Sequence, residues 1–161
     1  MRVDRFNALP ADDARALVAG CLGVRRWVEE LVDGRPYADL PALLKQGHDS
    51  ALVLTDDELA SALSRHPRIG ERRDGDDAEA RQSQAEQSGV RAEHADRLRE
   101  ANAAYESRFG HVFLIRAAGR TSDEILAELE RRLGNDDATE RTETVTALRD
   151  IALLRLEQVL T

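Results

Sequence analysis

Apolar residues in this chain recur three and four positions apart almost from end to end, and no convincing stretch alternates with a period of two. A pattern of that kind commits the backbone to helices that each bury one stripe. Composition agrees: Ala, Leu, Arg and Glu dominate and aromatics are only 4%. The expected fold is all-α, a single-domain helical bundle over residues 1–161 with one short extended segment near residues 112–117. A chain of 161 residues buries roughly two thirds of its unfolded surface, enough to fold without disulfides or metal.

Local signals punctuate the bundle. Residues 10–19 read as the first helix, opened by Pro10, with Ala14, Leu17 and Val18 inward. Gly20 to Gly23 breaks it. A second helix over 25–32 stops at Asp33-Gly34-Arg35-Pro36, and a third begins near Asp39-Leu40-Pro41. Thr55-Asp56-Asp57-Glu58 is a capping box for a helix carrying Leu59, Ala62 and Leu63. That helix ends at His66-Pro67, because proline disfavours helical geometry in the residue before it. Residues 70–80 read as a polar loop. A helix then holds Ala85-Glu86-Gln87 and is interrupted at Gly89. Residues 90–108 form a long charged helix with Ala95, Leu98, Ala101, Asn102 and Tyr105 on one face, closed by Phe109-Gly110-His111. After the apolar segment 112–117, Thr121-Ser122-Asp123-Glu124 forms a second capping box, and Gly134-Asn135 stops the helix it opens. The last helix covers about 138–160.

Several function classes fall away. The only cysteine is Cys21, so there is no disulfide framework and no Cys/His set for zinc. A reducing, cytoplasmic setting follows. The opening residues lack the apolar core of a signal peptide, and no apolar run approaches a membrane span. Net charge is −8 with the two signs interspersed, unlike the basic stripe of a nucleic-acid binder. A small anionic substrate remains compatible, given local positive groups.

Three features resist reduction to a plain bundle. In His66-Pro67-Arg68-Ile69-Gly70, the histidine is either a simple helix stop or an imidazole held in one place by a rigid neighbour and a flexible exit. In Ser83-Gln84-Ala85-Glu86-Gln87-Ser88-Gly89, the polar run is either a solvated cap or a helix start whose amides hold an anion. Arg155 shares a face with Leu148, Ile151, Ala152 and Val159. A guanidinium on an apolar stripe either snorkels out, pairs with a structural acid, or grips a substrate carboxylate. Arg116, after Phe113-Leu114-Ile115, poses the same question more weakly.

These motifs, in this order, resemble the 2-oxo-4-hydroxy-4-carboxy-5-ureidoimidazoline (OHCU) decarboxylase family, in its bacterial branch. The resemblance continues through Asn102-Ala103-Ala104-Tyr105, Phe109-Gly110-His111-Val112-Phe113-Leu114-Ile115, Gly119-Arg120-Thr121 and Ala152-Leu153-Leu154-Arg155-Leu156. Phe6-Asn7-Ala8-Leu9 and Gly34-Arg35-Pro36-Tyr37 extend it towards the start of the chain. It implies an all-helical homodimer with no metal or organic cofactor, turning OHCU into (S)-allantoin and carbon dioxide in urate catabolism. By position it implies that His66 and Glu86 are catalytic. Pro67, Ser83, Gln84, Ala85, Gln87, Phe113, Leu114, Ile115, Arg116, Ala117 and Arg155 are implied to line the substrate. The sequence departs from many relatives at Gln82, Ser83 and Gln84, where an aromatic or basic residue is usual. A helical interaction module without catalysis, or a decarboxylase of a related ureido or hydantoin acid, is the competing expectation.

Overall fold

The computed structural model describes residues 1–66 and 95–161. Pro67, residues 70–80, the segment carrying Ser83 to Gln87, and the start of the helix expected from residue 90 lie outside the described residues.

The described residues form eight helices and no strand, so the all-α reading holds. Helix α1 (Val3–Ala8) precedes the first expected helix. Its six residues are too few for a periodic signal. It exists because Val3 and Phe6 bury one turn apart and Arg35 Nη1 donates to the Phe6 and Leu9 carbonyls at 3.1 and 2.8 Å. Helix α2 (Ala11–Ala19) begins one residue after Pro10, which is its N-cap rather than its first residue. Helix α3 (Arg25–Asp33) buries Trp27, Val28, Leu31 and Val32. Helix α4 (Leu40–Ala51) is capped by Asp39, which accepts from the Ala42 amide at 2.9 Å. Helix α5 (Asp56–Ser64) opens on the expected capping box: Glu58 N donates to Thr55 Oγ1 at 3.1 Å, and Thr55 N donates back to the Glu58 carboxylate at 2.9 Å.

Beyond the undescribed stretch, α6 is described over Ala95–Phe109, α7 over Ser122–Leu133 and α8 over Asp137–Leu160. Thr121 caps α7 by accepting from the Glu124 amide at 3.2 Å, which is one half of the expected box. Gly134 ends α7 at φ −84°, so the stop needs no left-handed residue.

Two apolar clusters result. The larger gathers α1 to α5 and the C-terminal part of α8 around Phe6, Trp27, Leu31, Leu43, Leu148 and Leu156. The smaller lies between α6 and α7, with Leu98, Tyr105, Phe113, Ile125 and Leu129. Helix α8 has 24 residues, or about 36 Å. Its first turns bury Glu140 and Thr144, and its later turns bury Leu148, Ile151, Ala152, Arg155, Leu156 and Leu160.

Helix α4 lies close against α8 because Gly47 has no side chain. A Cβ there would stand 3.2 Å from Leu153 Cδ2, 3.4 Å from Leu156 Cδ1 and 3.5 Å from Trp27 Cζ2.

Residues 112–117 carry neither helix nor sheet pairing. Their side chains nevertheless alternate: Phe113, Ile115 and Ala117 enter the small cluster, Leu114 enters the large one, and Arg116 is exposed. The segment is a wedge between two cores. Gly110 and Gly119 bracket it at φ +80° and +79°, backbone that a side chain would strain.

Candidate functional site

His66 follows the last turn of α5. Its amide closes the helix onto the Leu63 carbonyl at 3.1 Å, and the residue is only 9% exposed. Both ends of α5 are tied to distant chain. At the N-terminal end, Arg26 Nε donates to the Glu58 carboxylate at 2.9 and 3.2 Å, and Arg141 Nε donates to Asp56 at 2.9 Å. At the C-terminal end, Arg65 donates to the Gly23 carbonyl. Leu59, Ala62 and Leu63 bury the face between them. The helix end that carries His66 is therefore held by tertiary bonds from the residues that precede it.

Arg155 is 1% exposed, so it does not snorkel. Its Nη1 donates to the Cys21 carbonyl at 3.2 Å. Arg155 and the residue preceding His66 thus both bind the short turn between α2 and α3, at Cys21 and Gly23. The apolar stripe on α8 brings the guanidinium there, since Ile151, Ala152 and Leu156 are buried around it.

Of the expected lining residues, Phe113, Leu114, Ile115 and Ala117 are buried, and Arg116 is exposed. Part of the segment's row of carbonyls is engaged within the chain. Val112 O contacts His111 Nδ1 at 3.0 Å, Leu114 O accepts from Arg132 Nη1 at 2.7 Å, and Arg116 O accepts from Arg120 Nε at 3.1 Å. The amides of the segment have no acceptor among the described residues. The amides, together with the Phe113 and Ile115 carbonyls, are what this backbone offers a ligand. Pro67, Ser83, Gln84, Ala85, Glu86 and Gln87 lie outside the described residues, so their approach to His66 is not part of this geometry.

A buried ion pair escaped the sequence reading. Arg132 and Glu140 are 3% and 1% exposed. Arg132 Nε meets both Glu140 oxygens at 3.0 and 3.1 Å, and Nη2 meets one at 2.5 Å. Tyr105 OH, Asn135 Nδ2 and Thr144 Oγ1 also donate to this carboxylate. Burial pushes the Glu140 carboxyl up, but the hydrogen bonds from Arg132 and Tyr105 and the Arg132 charge outweigh it and leave it below its ordinary range. Burial, reinforced by Glu140, raises the Tyr105 hydroxyl. The signal was present in the sequence: Ile125, Leu129 and Arg132 share one stripe of α7, and Glu140, Thr144, Ala147 and Ile151 share one stripe of α8. The reasoning applied to Arg155 would have found both.

Among the described residues, a cleft of about 320 Å³ opens between α5, the end of α6 and the start of α8, lined by Leu59, Leu63, Phe109, His111, Arg141 and Thr144 among others. None of the site residues expected from sequence lines it. No group of three or more His, Cys, Asp or Glu among the described residues is placed to hold a metal ion, and no described helix is long and apolar enough to cross a membrane.

The comparisons with known proteins converge. The model of the OHCU decarboxylase family matches residues 7–157. The 2-oxo-4-hydroxy-4-carboxy-5-ureidoimidazoline decarboxylase of Amia calva is 35% identical over 135 residues, 79% of this chain and 75% of that protein. The protein of the same name from Haloferax volcanii is 29% identical over 134 residues, 82% of this chain and 80% of its own length. The uric acid degradation bifunctional protein of Bacillus sp. (strain TB-90) is 24% identical over 161 residues, and this chain spans 32% of that longer protein. Two solved structures share the fold. A crystal structure of OHCU decarboxylase in the presence of (S)-allantoin has a TM-score of 0.73 at 22% identity, covering 88% of this chain and 94% of that one. A crystal structure of (S)-allantoin synthase has a TM-score of 0.77 at 16% identity, covering 99% and 54%. With a family model spanning nearly all of its length and a relative 35% identical over 79% of it, this chain belongs to the OHCU decarboxylase family.

Proposed function

We propose that this chain decarboxylates OHCU to (S)-allantoin and carbon dioxide, with His66 and Glu86 moving protons and Arg155 holding the substrate. The chemistry sets modest demands. The departing carboxylate sits on a carbon next to an imine carbon, so its electrons flow into the imine and no electron-sink cofactor is required. The protein has to orient the carboxylate out of the imine plane and deliver one proton to one face. In this reading His66 engages the carboxylate and the adjacent hydroxyl. Glu86, in its protonated form, protonates the developing carbon and so sets the S configuration. Arg155 and the amides of residues 112–117 bind ring and ureido oxygens.

The observation that carries the proposal is the family match over residues 7–157, joined to the burial of His66 at a tethered helix end and of Arg155 against the same inter-helix turn. The interaction-module reading needs an exposed apolar face. Among the described residues the large exposed hydrophobics are Leu52 and Val53, adjacent in one turn after α4, which is no such face. A homodimer, a cytoplasmic setting, a single domain over 1–161, and the absence of nucleic-acid or membrane partners belong to the same proposal.

The test generates OHCU in situ from urate and follows the chirality of allantoin by circular dichroism. The protein is expected to speed formation of the S form over the spontaneous racemic background. Because general acid–base action contributes roughly 10² to 10⁴ in rate, His66→Asn is expected to lose at least the lower figure with its far-UV spectrum unchanged. Full stereospecific turnover by His66→Asn would refute the assignment.

A further inference from the structure

The Arg132 guanidinium bonds to a carboxylate, a hydroxyl and a backbone carbonyl at once. Nε and Nη2 grip Glu140, Nη2 also reaches Thr144 Oγ1 at 3.3 Å, and Nη1 donates to the Leu114 carbonyl at 2.7 Å. Its face lies 4.7 Å from the centroid of the Phe113 ring, which Tyr105 meets edge-on at 5.3 Å. Glu140 is itself held by Tyr105, Asn135 and Thr144. One rigid cluster on α6, α7 and α8 therefore grips two consecutive residues of the segment expected to line the substrate.

That segment has no sheet partner to fix its path. The contacts to the Val112 and Arg116 carbonyls come from residues one and four positions away, whereas the bond from Arg132 to Leu114 spans 18 positions. It is the long-range bond that places the segment relative to the helices. Stability alone does not explain a buried ion pair, since well-packed apolar residues often serve equally well. An apolar pair, however, cannot hold a carbonyl oxygen at a set place and angle.

We propose that Arg132, anchored on Glu140, is a positioning residue that fixes the backbone at Phe113 and Leu114 so that the neighbouring amides meet the substrate. The proposal rests on the reading of residues 112–117 as substrate-lining. It assigns Arg132 no contact with the substrate.

The decisive variant is Arg132→Lys, which keeps the charge opposite Glu140 and cannot hold the carboxylate and the Leu114 carbonyl together. With OHCU generated from urate, KM is expected to rise about tenfold while kcat changes by less than about threefold, as for a loss of uniform binding. Hydrogen exchange at the amides of residues 113–115 is expected to accelerate by about the same factor. Thr144→Val is the control: it weakens the same cluster, lowers Tm, leaves the Leu114 bond intact, and is expected to keep the parental KM and exchange. Should Arg132→Lys fail to fold, Glu140→Asp draws the anchoring carboxylate back from Arg132 and is expected to raise KM about threefold, about 0.67 kcal/mol at 1.4 kcal/mol per decade. A parental KM with parental exchange in a folded Arg132→Lys protein overturns the proposal. So does a KM rise in Thr144→Val that simply tracks its loss of Tm. An inactive parent protein would instead sink the functional reading, while exchange at residues 113–115 would still report whether Arg132 clamps them.

Discussion

The two apolar clusters are built on different principles. The larger one draws on six helices and meets its polar needs one bond at a time: Trp27 Nε1 donates to the Gly47 carbonyl at 3.0 Å, and Tyr37 OH donates to the Leu31 carbonyl at 2.6 Å. Burial pushes the Tyr37 hydroxyl up to about 12, so it stays a donor across the working pH range. The smaller cluster lies between two helices and an irregular segment, and a charged pair interlocked with Tyr105, Asn135 and Thr144 stands at its edge. Extensive apolar burial tolerates many arrangements of similar volume. A small cluster buries too little to select one arrangement, and directional bonds to Leu114 and Phe113 do the selecting. The contrast shows where this fold relies on area and where it relies on geometry.

The contrast breaks most readily at Glu140. Glu140→Gln leaves a buried guanidinium without its charge partner and is expected to cost about 3–5 kcal/mol, read as a fall in Tm of about 2–4 °C per kcal/mol. The double variant Arg132→Met with Glu140→Leu should recover most of that loss. If the two single losses merely add, the pair is not coupled and the contrast fails. Acid titration sharpens the point. The Glu140 carboxyl lies below its ordinary range in the fold, so its contribution is present above the unfolded value of about 4.3 and disappears as pH falls through the folded value. Glu140→Gln should lack that part of the acid-side loss.

A middle-sized effect tests the larger cluster. Trp27→Phe keeps an aromatic ring but removes the indole hydrogen bond to the Gly47 carbonyl and leaves a small cavity, with an expected cost of about 1–3 kcal/mol in urea unfolding. KM should not move, because the loss stays within the region built on area. A KM change as large as that of Arg132→Lys would dissolve the distinction between the two clusters. Smallest is Thr55→Ala, expected to cost about 1 kcal/mol in the urea midpoint. His66 should hold its place there, since Arg26, Arg141 and Arg65 still tether α5.

Much of this was readable in the sequence where the controlling physics is local. Thr55 and Glu58 announced α5, Asp39 announced α4, and the three- and four-residue spacing announced the stripe that buries Arg155. Helix α1 was not readable, because its six residues are held by Arg35 from a distance. Arg132 was missed for a different reason. It stands in the last turn of α7 beside Arg131, where a cation normally faces water and the helix dipole, and only its register with Ile125 and Leu129 marks it as interior. The wedge at 112–117 was legible as extended and apolar. That Leu114 turns to one cluster and Phe113 to the other depends on helices distant in the sequence, which no local pattern encodes.

Position 47 carries a consequence for anyone wishing to harden this protein against heat. Helix preferences recommend exchanging a mid-helix glycine for alanine, a gain of roughly 0.5–1 kcal/mol. Here the added methyl would press on Leu153 and Leu156, the residues either side of Arg155 in the chain. The push would be transmitted along the last turns of α8 to the guanidinium of Arg155. A substitution chosen to stiffen one helix would thereby retune a residue proposed to hold the substrate, so this glycine is the one to leave untouched.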